Sequence, residues 1–153
     1  MDLRTLGVLL LCTTHLCLGT LVVLHNRRAL INKLFGLSVV TIVGWILTIF
    51  LALSADDPRQ ILWSARLGFA FASSIPFSLI WMFHAFSTEG VVAKDPRFYI
   101  PAALCGLFVL LSLSPWIVIG SAEINGHHTV VYGPLHRLFC VYLMGAFNSD
   151  IFS

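Results

Sequence analysis

Residues 34–53 read LFGLSVVTIVGWILTIFLAL, twenty positions without one charge. A helix of that length rises ~30 Å, about the thickness of a bilayer's hydrocarbon core, and it satisfies its own backbone amides inside lipid. Comparable runs fill most of the chain, and we read spans at about 33–53, 3–24, 61–86, 98–120 and 135–151. Only 10% of the 153 residues are charged and 58% are hydrophobic, whereas an ordinary soluble domain is about 25% charged. A water-soluble fold of this size has no interior large enough for so much apolar surface. The sequence therefore predicts an all-α polytopic membrane protein. It should be a bundle of about five transmembrane helices, with the lipid bilayer as its main partner.

The first run follows Arg4 and could be read as a signal peptide. It is long, lacks a convincing small-residue cleavage site, and ends at His25-Asn26-Arg27-Arg28. We read it as an uncleaved first helix. The last run reaches Asn148, Ser149 and Asp150 soon after it begins, so residues 1–153 are read as one incomplete transmembrane domain.

The links set the orientation. Arg27, Arg28, Lys33, Lys94 and Arg97 fall in the first and third links, against Arg59 alone in the second and no Lys or Arg at 114–134. Positive charge favours the cytoplasmic side. The expected localisation is the cell membrane, multi-pass, with the N-terminus outside.

The fourth link, SPWIVIGSAEINGHHTVVYGP, differs from everything around it. Two β-rich pieces, 117–119 and 129–132, flank Asn125 and Gly126, the strongest short signal for a hairpin turn. We expect a short external β-hairpin between the fourth and fifth helices, lying as a lid over the outer mouth of the bundle.

Polar groups inside spans are costly and draw attention first. Arg66, near the start of the third span, is expected either to snorkel to the outer interface or to pair with Asp56, Asp57 or Glu123. His15 should hydrogen-bond to a neighbouring helix. Pro76 should kink the third span. Ala65, Gly68, Ala72 and Ser73 should let helices approach closely. The tryptophans and tyrosines read first as interfacial anchors. Those gathered at the outer mouth with Arg66 form the ligand-binding set: Trp63, Arg66, Trp116 and Tyr132.

No chemistry is expected of this segment. The sequence has no P-loop, GxSxG, HExxH or dinucleotide-binding glycine pattern. Cys12, Cys17, Cys105 and Cys140 form no CxxC pair, and His127 and His128 would point to opposite faces of a strand. No catalytic residue, cofactor or metal is expected, nor is nucleic-acid binding, because no basic tail or helix is present.

Taken together, several marks resemble one family. They are Asn26 and Asn32 in the first link before FGLSVVTIVGW, the acidic link ADDP, and LWSARLGFAFASSIPFSLIWMFHAF with its Trp-Arg opening and later proline. SPWIVIG and VVYGPLHRLFCVY complete them. The chain resembles the N-terminal seven-transmembrane sensor region of prokaryotic sensor histidine kinases, truncated in the fifth span. The resemblance implies a sensory input module of a two-component system. It also implies a small-molecule ligand, a cytoplasmic PAS- or kinase-type output domain, and a homodimer as one allowed assembly. Two other readings stay open: a fragment of a transporter or channel, and a small structural membrane subunit.

Overall fold

The computed structural model describes residues 3–87, 99–124 and 127–148. Five helices and a two-stranded sheet follow in order: α1 (Leu3–His25), α2 (Leu30–Ser54), α3 (Pro58–Ser87), α4 (Tyr99–Ser112), β1 (Val118–Ile124), β2 (His127–Tyr132) and α5 (His136–Asn148). The third link with Lys94, Pro96 and Arg97, residues Asn125 and Gly126, Asp150, and the side chains of His127 and His128 lie outside what is described.

Local chemistry sets the element ends. Asp57 begins α3: its carboxylate accepts the Arg59 N–H at 3.0 Å and its carbonyl accepts the Ile61 N–H at 3.0 Å. Pro58 follows at the first helical position, where its missing N–H costs nothing. In the first link, Asn26 Oδ1 accepts the amides of Arg28 and Ala29, and Asn32 Nδ2 donates to the Asn26 carbonyl. Those three bonds fold the tight connection between α1 and α2.

Three helices, α1, α2 and α3, are long and apolar enough to cross a membrane. At ~1.5 Å per residue α3 is about 45 Å long, some 15 Å more than a hydrocarbon core. The five-span expectation holds only in part. The helix of the fourth run ends at Ser112 instead of continuing to 120; α4 is described from Tyr99 to Ser112 and α5 from His136 to Asn148. The break has a local cause. Ser114 Oγ donates to the Leu111 carbonyl at 2.7 Å, and Pro115 cannot continue the helical bond pattern.

Neighbouring helices approach closely at small residues. Gly19 of α1 lies on Val39 of α2, and Gly68 of α3 lies on Thr48 of α2. The outward faces stay apolar: Leu10, Leu21, Leu110 and Met144 are each at least 66% exposed. Such a surface would aggregate in water and is at ease in lipid.

The hairpin forms between α4 and α5 as expected, but it is longer than expected and sits differently. Val118 pairs with Tyr132 and Ile124 with His127, which leaves a two-residue connection; a register shift lies between Val118 and Gly120. The start of the hairpin is no lid. Ile117 and Val118 are fully buried and join Ala72, Phe108 and Phe139 in the largest apolar cluster. The entry to the hairpin is a wedge: Ile117, just before β1, and Val118 fill the angle between α3, α4 and α5, while Ile119, Glu123, Thr129 and Tyr132 stay exposed.

Candidate functional site

α3 carries the site, because the hairpin, α4 and α5 all pack on it. Arg66 lies eight residues into α3. Its Nε and Nη2 both donate to the Val118 carbonyl, at 3.3 and 3.1 Å. Its guanidinium lies 5.6 Å from the centre of the Trp63 ring, within cation–π range. The expectation for Arg66 is either the outer interface or a carboxylate of Asp56, Asp57 or Glu123; the acceptor in the structure is a backbone carbonyl of the hairpin. Ser121 Oγ adds a bond to the Pro58 carbonyl at 3.2 Å. The second link and the hairpin therefore share one end of the bundle.

The hairpin is closed from its other side by backbone alone. The Gly133 N–H donates to the Ile117 carbonyl at 2.7 Å, and the Leu135 N–H donates to the Trp116 carbonyl at 3.0 Å. A Cβ on Gly133 would collide with the Trp116 carbonyl oxygen and stand 2.6 Å from that of Pro115. Glycine is required there by close approach of two main chains.

Beneath β2 a cleft of about 380 Å³ opens between α2, α3 and α5. Trp45 and Thr48 of α2, Gly68 and Phe69 of α3, Tyr132 of β2 and Phe139 of α5 are among its walls. An aromatic cluster closes its hairpin end. Tyr132 stacks on His136 at 4.0 Å, and the edge of Phe69 meets both, at 6.1 and 5.6 Å.

A second polar tie lies deeper. Tyr142 Oη donates to the Ser73 carbonyl at 2.9 Å, three residues before Pro76. The N–H that Pro76 lacks would serve the Ala72 carbonyl, the neighbour of Ser73 in the chain. α3 nevertheless runs unbroken through Pro76. Ser73, Ser74 and Ser78 each donate to a carbonyl of α3 itself.

The four residues expected at the site separate into two groups. Trp63 and Arg66 touch each other, and Arg66 reaches Tyr132 through Val118, its sheet partner. Trp116 stands apart. The residue is 54% exposed, and its part in the site is its carbonyl. Phe69, Phe139 and Tyr142 were missed because aromatic residues in an apolar span look alike in sequence. His15 bonds to the Leu11 carbonyl of its own helix at 2.8 Å, not to a neighbour. The Trp81 indole nitrogen is buried without a partner among the described residues, the reverse of an interfacial anchor.

Fold and site together describe a mostly helical protein with three helices fit to cross a membrane and a hairpin wedged at one end. Compared with known proteins, the chain matches no family model, no curated protein and no solved structure.

Proposed function

We propose that this chain is a membrane-embedded sensory input module, of the kind that precedes a histidine-kinase-type output domain. The observation that carries the reading is the cleft beneath β2. It is of ligand size, and one wall is a hairpin held to α3 by few polar ties. A ligand that favours one seating of the hairpin shifts the population of seatings. α5 is tied to the same wall through Tyr132 and His136 and leads toward the C-terminal side, where an output domain would read the change. The second link and the hairpin meet at Ser121 and Pro58, and the proposed topology, drawn from the charge bias of the links, has both outside with the N-terminus.

Two measurements test this. After alkaline carbonate extraction the chain should stay in the membrane pellet, and reporters fused after Lys33 and within the hairpin should give inside and outside signals respectively. The coding sequence beyond Ser153 should continue into further apolar spans and then a PAS, kinase or cyclase domain. A stop codon there would overturn the sensory reading.

A further inference from the structure

Two recesses of unlike chemistry adjoin at Tyr132. One is the cleft beneath β2, walled mainly by apolar side chains. The polar groups on its wall are few, and Thr48 Oγ1 is already committed to the Gly44 and Trp45 carbonyls of its own helix at 2.9 Å. The other recess, of about 410 Å³, is lined by Tyr132, Gly133, Pro134, His136 and Arg137. Arg137 is exposed, and the described residues give it no acidic partner. The stacked rings of Tyr132 and His136 form the rim between the two.

An apolar trough ending at an aromatic rim beside an uncompensated cation is complementary to a molecule with a greasy tail and a negative head. We propose that the two recesses together bind a single-chain anionic amphiphile of the fatty-acid class. Its tail lies in the cleft against Trp45, Gly68 and Phe139, and its carboxylate lies beside His136 and Arg137. At about 380 Å³ the cleft is near the low end of ligand cavities, which suits one chain. The tail would press on Tyr132, whose sheet partner Val118 is the residue that Arg66 holds. The inference rests on the sensory reading above and gives that site its ligand class.

The test uses the chain in phosphatidylcholine nanodiscs and 11-bromoundecanoate as probe, because bromine quenches the fluorescence of a nearby indole. Quenching should saturate, should be relieved by undecanoate, and should shrink in Trp45→Phe. Arg137→Gln should weaken binding by about tenfold, the effect of losing one charge-assisted contact. The methyl ester of the probe should bind about tenfold more weakly than the acid for the same reason. Ala52→Phe, which fills the cleft from α2, should abolish the saturable part. Quenching that rises linearly with probe, as simple partition into lipid would give, overturns the proposal. So does equal binding of acid and ester, or an Arg137→Gln chain that binds like wild type. A chain that stays in the nanodisc yet fails these tests refutes the amphiphile and leaves the sensory reading standing. A chain that does not enter the membrane refutes the sensory reading, and this one with it.

Discussion

Gly133→Ala and Gly106→Ala should move stability in opposite directions. At Gly133 an added Cβ would meet backbone atoms of Pro115 and Trp116, which cannot swing aside as a side-chain tip would. Overpacking of this kind costs about 1–3 kcal/mol. The strand must also separate there, which loosens the Gly133-to-Ile117 and Leu135-to-Trp116 bonds, each with a net value of about 0.5–1.5 kcal/mol. The expected loss is roughly 2–4 kcal/mol. Gly106 sits inside α4 with nothing within 4 Å of an added Cβ. Alanine there restricts only the unfolded chain and should add about 0.4–1 kcal/mol. Reversible unfolding in mixed micelles, titrated with SDS and followed by far-ultraviolet circular dichroism, resolves differences of this size. A Gly133→Ala chain within ~0.5 kcal/mol of wild type would refute the close-approach argument, since only background surface effects are that small. Equal shifts in the two variants would refute it as well.

Two further changes probe the polar ties. Arg66→Met keeps length and apolar contact but removes both donors to the Val118 carbonyl; it should cost about 1.5–3 kcal/mol. Hydrogen exchange should quicken at the amides of β1 while those of α1 stay protected, and uniform loosening would count against a local clamp. Tyr142→Phe keeps the ring stacked on Phe108 at 4.3 Å and leaves the buried Ser73 carbonyl without its outside donor. A loss of about 1–3 kcal/mol is expected, with faster exchange around Pro76. No change in either would mean that α3 satisfies the carbonyl by itself.

The elements with a local cause were legible in the sequence. The charge-free length of 34–53 dictates a long helix, and the β-rich pieces around Asn125 and Gly126 announce a hairpin in the right place. The end of α4 at Ser112 was not legible, because Leu113 and Trp116–Ile119 are apolar and read as a continued span. Ser114 and Pro115 break it first. Arg66 drew attention in the sequence because a cation near an apolar span stands out. The aromatic wall built from Phe69, Tyr132, His136 and Phe139 did not, since its members are scattered over 70 residues of similar composition.

By itself the sequence determined the apolar runs, their helical character and the place of the hairpin between the last two helices. Each follows from composition and near-neighbour pattern. Only the tertiary structure decided that Ile117 and Val118 enter the core instead of capping it, that Arg66 holds a carbonyl 52 residues away, and that Tyr142 reaches Ser73 across 69. The physical reason lies in the apolar composition of these helices, which are long and apolar enough to cross a membrane. A helix in lipid is apolar on the face that packs and on the face that meets the bilayer. Its hydrophobic pattern therefore fixes that it is a helix and leaves open which side its neighbours will occupy.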